Sequence, residues 1–246
     1  VTVFLGLDLA WSARNPSGLA AIDERGRVVD ARGDLRTDAE ILAWVRAHLA
    51  PTAFIGIDMP TIVRNGSGAR RCELELRAEF GRFHAGPHPA NLVRFPGGGR
   101  AAALLTHLQA DGVQERLDVG PRRRGRFAFE VFPHPAHVRL FGLPRIFKYK
   151  KKPSRSWPEA LSEFRRYRRA LGSLAAADPP LRLGRRFPAP RGTPGYKRRE
   201  DILDAVSCAY IAAWVWRWGM RLPHVRIFGD LDEGYILVPD RTALSS

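Results

Sequence analysis

Three strand-like segments follow one another so closely at the start of this sequence that only hairpin turns can join them. Residues 2–9, 16–23 and 27–33 are largely apolar, and Glu24-Arg25-Gly26 supplies a turn between the second and third. Such spacing predicts an antiparallel meander. Thr37, with Glu40 three residues on, forms a capping box. Ile41, Leu42, Val45 and Leu49 then recur at helical spacing, which predicts a helix over 38–49 closed by Pro51. Residues 53–57 are a short apolar run ending at Asp58. A strand that follows a helix in this way predicts a crossover and a parallel partner.

Further along, residues 70–80 and 101–111 read as helices. Residues 84–99 read as loop, with Pro87, Pro89, Pro96 and Gly97-Gly98-Gly99. Residues 126–132 alternate with period two until Pro133 stops them, and 136–141 and 157–174 read as helices. The strongest helical pattern runs from Arg199 to Trp218, with Ile202, Leu203, Val206, Ala209, Tyr210 and Ala213 on one face. Residues 178–196, rich in Pro, Gly and Arg, read as a loop or flap, and 234–239 as a short strand or tail. The expected fold is α/β: a mixed five-stranded sheet, antiparallel meander plus parallel strands, flanked by helices in the ribonuclease H-like order. One domain over 1–246 is expected, with basic loops and helices inserted around 84–125 and 145–196.

Charge narrows the partner. The formal net charge is +15, carried by 35 Arg and 5 Lys. Such an excess predicts a polyanionic partner, most often nucleic acid, although an arginine bias this strong can also reflect genome composition. No apolar run reaches the ~18–20 residues of a membrane span. The stretch from Val1 to Leu9 lacks the charged opening and cleavage site of a secretory leader, so a cytoplasmic location is expected. Two cysteines, Cys72 and Cys208, exclude a disulfide scaffold and a four-cysteine zinc site. His134 and His137 flank Pro135-Ala136 and are too few for zinc without close partners. Gly97-Gly98-Gly99 lacks the Lys-Ser/Thr of a phosphate loop.

The acids carry the chemistry. Asp8 ends the first strand, Asp58 the fourth, and Glu130 lies in the fifth, each embedded in apolar sequence. A buried carboxylate without a partner costs several kcal/mol or takes up a proton, so an arginine, backbone donors or a metal must compensate. Asp201 and Asp204 are i and i+3 in the long helix and share a face. Ala205 and Ala209 would let that helix approach the sheet closely. Carboxylates gathered around one point suit hard divalent cations, Mg²⁺ or Mn²⁺, and two such ions support phosphodiester cleavage. Phosphate contacts are expected from Arg122, Arg123 and Arg124, from Lys148, Lys150 and Lys151, and from Arg198 and Arg199; Arg71 and Arg77 share a helix with Glu73 and Glu75, either as a salt-bridged face or, as part of the RRCELELR motif of the resemblance below, as further phosphate contacts.

At these residues the sequence resembles a known group. GLDLAW with PSGLA following, GIDMP, RRCELELR, FEVFPHPA, the KYK at 148–150 and EDILDAVSCAYIA match the ribonuclease H-like nuclease family labelled domain of unknown function 429. More distantly, the first-strand acid and the paired helix acids resemble RuvC-type resolvases. The resemblance implies a nuclease whose catalytic candidates are Asp8, Asp58, Glu130, Asp201 and Asp204. It implies metal ligation by Asp8, Asp58, Asp201 and Asp204, with Glu130 as a fifth ligand or as an acid that holds Lys or Arg. The alternative is a non-catalytic nucleic-acid-binding module on the same fold.

Overall fold

The computed structural model describes residues 1–184, 187 and 192–240. The predicted meander is present as β1 (Thr2–Asp8), β2 (Ser17–Asp23) and β3 (Val28–Leu35), paired antiparallel. Helix α1 (Asp38–His48) starts at the Thr37–Glu40 capping box and leads to β4 (Thr52–Asp58), which pairs parallel to β1. Next come α2 (Arg71–Phe80), α3 (Arg100–Gln109), β5 (Val113–Glu115), β6 (Arg126–Glu130) and α4 (Pro133–Phe141). Last are α5 (Trp157–Ser173), α6 (Tyr196–Trp218) and the hairpin β7 (Val225–Asp230) with β8 (Gly234–Pro239).

The sheet has six strands, in the order β3-β2-β1-β4-β6-β5, rather than the expected five. The additional edge strand, β5, is three residues long and pairs parallel to β6. Its Val-Gln-Glu sequence is too short and polar to show a period. The hairpin forms a second, two-stranded sheet, of which only 234–239 is foreseen by the sequence. Its inner residues Phe228, Ile236 and Val238 pack on Cys72, Leu76 and Phe80 of α2. The expected flap at 178–196 falls partly on residues 185, 186 and 188–191, which lie outside the described residues. Among the described residues, no helix is long and apolar enough to cross a membrane.

Strand alternation divides the core. Val3, Leu5, Leu7 and Leu19 face α1 and α3, packing with Ile41, Val45, Leu104 and Leu108. Phe4, Ala20, Phe54 and Phe129 face the other way, onto α6 and, beyond it, α5. Gly6 and Asp8 share the parity of Phe4, and Gly56 and Asp58 that of Phe54, so both aspartates lie on the α6 side. Here the sheet carries glycines. A Cβ on Gly6 would sit 1.9 Å from the Ala205 carbonyl oxygen. One on Gly56 would be 2.5 Å from that of Cys208, and one on Gly18 2.0 Å from that of Asp201. Helix α6 thus rests backbone to backbone on β1, β2 and β4, the approach that Ala205 and Ala209 foreshadow. Gly6→Ala is expected to push the helix off the sheet and lower stability by about 3 kcal/mol, the upper part of the overpacking range. Denaturant unfolding measures it, and an unchanged midpoint would contradict this packing.

Candidate functional site

The parallel pairing of β1 with β4 puts Asp8 directly opposite Asp58. The contact of Gly18 with Asp201 then lays the first turns of α6 over the same end of the sheet. Four of the five predicted acids are thereby brought to one end of the sheet: Asp8, Asp58, Asp201 and Asp204 act on one another electrostatically. Below Asp8, the chain is held by Ser17, whose hydroxyl accepts from the Ala10 N–H at 3.1 Å, and by Arg100, which donates to the Ala10 carbonyl at 2.9 Å.

The acids are not equivalent. Asp204 is buried, and its Oδ1 accepts from the Tyr149 hydroxyl at 2.5 Å, with the Tyr167 hydroxyl 3.1 Å away. Lys150 Nζ lies 3.1 Å from its Oδ2. Burial works against the ionised form, but Lys150 and Tyr149 outweigh it and hold the Asp204 carboxyl below its usual range. Asp8 and Asp58 have no hydrogen-bond partner among the described residues. Burial and the Asp204 charge push the Asp8 carboxyl well up. Burial pushes Asp58 up to about 7, with Lys150 opposing and Asp204 and Glu130 adding. Asp201 is raised by burial against the pull of Lys197, to which its Oδ1 is bonded, while its Oδ2 is buried without a partner. Lys150 is the common counter-charge: Asp204 above all, then Asp8 and Asp58, raise its ammonium pKa against desolvation.

A pH test follows from Asp58. Between its ordinary value near 3.8 and about 7, the native protein keeps a proton that the unfolded chain has lost. The wild-type contribution to stability therefore falls as pH rises through that window. In chelator, Asp58→Asn is expected to gain stability relative to wild type between about pH 5 and 7.5, followed by melting temperature. His134 and His137, lowered by burial to about 4 and about 3, pull the opposite way and cancel in the difference between the two proteins. A pH-independent difference would contradict the raised Asp58.

Glu130 acts on Asp58 but lies on the other face of the sheet. It has the parity of Ala128, on the α1 and α3 side, and both its oxygens face Arg70. Arg70 donates to Oε2 at 2.8 Å and to Oε1 at 2.6 Å, and the Thr61 N–H donates to Oε2 at 2.9 Å. Arg70 also holds Glu73 and the Ile62 carbonyl. Glu130 is thus the acid that holds an arginine, and the pair pins the chain leaving Asp58. Arg70 and Glu73 are absent from the sequence-derived site. The i and i+3 spacing of Arg70 and Glu73 at a helix start is the signal that marks them.

The basic residues separate into groups. Arg77, Lys148 and Lys150 line one cleft beside the acids. Lys151 caps the Lys152 carbonyl and lies over the Trp157 ring. Arg71 is paired with Glu75, and Arg198 stands 3.7 Å from Asp34. Arg199 lines a different hollow with Arg198 and Arg168. Arg122 and Arg124 line a hollow with Thr2 and Thr52, and Arg123 is beside it. These last three stand at the beginnings of β1 and β4, whereas the acids end those strands. At ~3.3 Å per residue, seven-residue strands put them about 20 Å from the acids. They stand at the pole of the sheet opposite the acids.

Trp214, Trp218 and His137 are packing groups. Trp214 is buried with its Nε1 donating to the His224 carbonyl, and Trp218 stacks on His224. His137 Nε2 hydrogen bonds with the Ser207 hydroxyl. Among the described residues, no three Asp, Glu, His or Cys side chains stand close enough together to hold a metal ion. The donor chemistry of the cluster nevertheless suits a hard cation: carboxylate oxygens only, two of the acids without partners, and one buried oxygen of Asp201 unpaired.

Comparison with curated proteins and comparison with solved structures each give no match. The family model described as "Protein of unknown function (DUF429)" matches residues 6–224, a span from β1 through α6 that includes all five acids. The chain belongs to the DUF429 family.

Proposed function

We propose that this protein is a metal-dependent phosphodiesterase acting on nucleic acid, built on a ribonuclease H-like fold. The strand order β3-β2-β1-β4-β6, a meander followed by parallel strands, supports the fold. The observation that carries the activity is the pairing of Asp8 with Asp58 at one end of the sheet, with Asp201 and Asp204 brought over them by α6. Asp8, Asp58, Asp201 and Asp204 would hold Mg²⁺ or Mn²⁺. When bound, such ions supply Lewis-acid activation of water and stabilise a departing oxygen. The chain itself supplies the rest. Tyr149 and Tyr167 fix the Asp204 carboxylate in one orientation. Glu130 and Arg70 fix the turn behind Asp58. Lys150 stands between the acids and the basic cleft, so a phosphate drawn to that cleft arrives beside the carboxylates.

Lys150 also favours the second reading, a binding module without turnover, because its ammonium already neutralises part of the cluster. A labelled panel separates the two: single-stranded and duplex DNA, RNA, an RNA–DNA hybrid and a four-way junction, each with Mg²⁺, Mn²⁺ or chelator. Metal-dependent cutting of any member is the expected result. Salt-sensitive binding with no metal-dependent cutting of any of them would replace the nuclease with the binding module.

A further inference from the structure

The cleft beside the acids has a volume of 640 Å³ and is formed by α2, the turn after it and the chain from 146 to 155. Arg77, Lys148, Lys150, Lys152 and Arg155 line it, and no carboxylate does among the described residues. Apart from Lys150, these cations have no ion-pair partner among the described residues. Elsewhere, Arg32, Arg46, Arg116 and Arg217 each sit on an aspartate.

The cleft is also held in shape. The Ile146 N–H donates to the Phe83 carbonyl and the Lys148 N–H to Glu163. The Tyr196 hydroxyl donates to the Tyr149 carbonyl, and Arg155 to that of Lys150. Tyr149 is fully buried and points to Asp204, which leaves its neighbours Lys148 and Lys150 on the cleft wall. His134, also on the wall, carries a buried Nδ1 without a partner. Unpaired cations on a pinned backbone repel each other, and an anion relieves that repulsion without a large ordering cost.

We infer that this cleft is a phosphate subsite of its own, holding one phosphodiester of a nucleic-acid strand with its flanking sugar and handing the strand on to the acid cluster through Lys150. The nucleic-acid ligand rests on the function proposed above, while the anion site rests on the cleft. The volume lies within the ~300–1,000 Å³ of ordinary ligand pockets, more than a lone inorganic ion fills. Exposed Trp11, at 60% accessibility, stands three residues beyond Asp8 against Phe95, on the chain leaving the same strand end.

The test is binding, in chelator, of a short fluorescein-labelled single-stranded DNA, and of the RNA of the same sequence, over a range of salt. Each phosphate contact contributes about 0.7 to the slope of log affinity against log salt for single strands. Arg77→Ala/Lys148→Ala is expected to lower that slope by about 1.4, and Lys152→Ala, an exposed residue that folding does not need, by about 0.7. Inorganic pyrophosphate is expected to displace the strand from wild type and not from the double variant. Unchanged slopes in the cleft variants, with loss instead in Arg122→Ala/Arg123→Ala, would overturn the subsite. No metal or turnover enters the readout, so the two ideas fail separately. Binding through the cleft by a protein that cuts nothing keeps the subsite and removes the nuclease. Cutting by a protein whose cleft variants bind like wild type does the reverse.

Discussion

Asp8→Asn is expected to abolish metal-dependent cleavage and, in chelator, to raise the melting temperature. The two effects have one cause. In the metal-free protein, Asp8 is a half-buried carboxyl without a hydrogen-bond partner, pushed up by desolvation and by Asp204, Asp58 and Asp201 against the pull of Lys150. An amide keeps the shape and removes the repulsion, so the folded state gains. At about 2–4 °C per kcal/mol for a chain of this size, the gain is visible by calorimetry. In the proposed reaction, cleavage would need the opposite: a negative oxygen on Asp8 to help hold the cation. Such stabilisation is worth several kcal/mol, so the loss is at least about 10³-fold in turnover. Substantial cleavage by the variant would remove Asp8 from the site. A lower melting temperature in chelator would show that Asp8 has a stabilising partner in the fold.

Arg70→Met is expected to be the most destabilising of the substitutions considered, at about 3–5 kcal/mol. The Arg70 side chain is 1% exposed, with Glu73 at 1% and Glu130 at 4%. Desolvation opposes its charge, but Glu130 outweighs this and drives the guanidinium pKa up. Even with Arg70 against it, burial leaves Glu130 above the usual carboxylate range. Removing the cation therefore strands two carboxylates in the interior. Arg70→Met/Glu130→Gln is expected to recover part of the loss, because the amide still accepts from the Thr61 N–H without a charge. Denaturant unfolding of the single and double variants measures this. A single-variant loss under about 1 kcal/mol would mean that the ion pair contributes little to the fold.

Much of this architecture is legible in local sequence. The meander, the Thr37–Glu40 box and the periodicity of α6 are short-range patterns, and each appears where expected. The convergence of Asp8, Asp58, Asp201 and Asp204 is legible too, since a strand end and a helix face fix direction once the order of elements is known. What escapes local reading is pairing at a distance. Glu130 and Arg70 lie 60 residues apart, and nothing in either segment names the other. Lys150 sits in a chain without periodicity, and its turn toward the acids depends on Tyr149 being anchored in the core. The remoteness of Arg122–Arg124 was open to deduction: they precede β6, and parallel strands begin at the pole opposite their ends.

The seat of α6 on its glycines also bears on when the site comes into being. β1 to β4 are close in sequence and can pair early, but the helix that completes the acid cluster belongs to a much later stretch of chain. Contacts so far apart in sequence form slowly, because loop closure must precede their reward. Until α6 docks, Asp8 and Asp58 are ordinary hydrated carboxylates at the ends of two strands, without Asp204, Lys150 or their raised proton affinity. The acid cluster is thus complete only once α6 has docked: without the helix the first two acids stand alone, and the close fit that locates α6 is also what brings Asp201 and Asp204 over them.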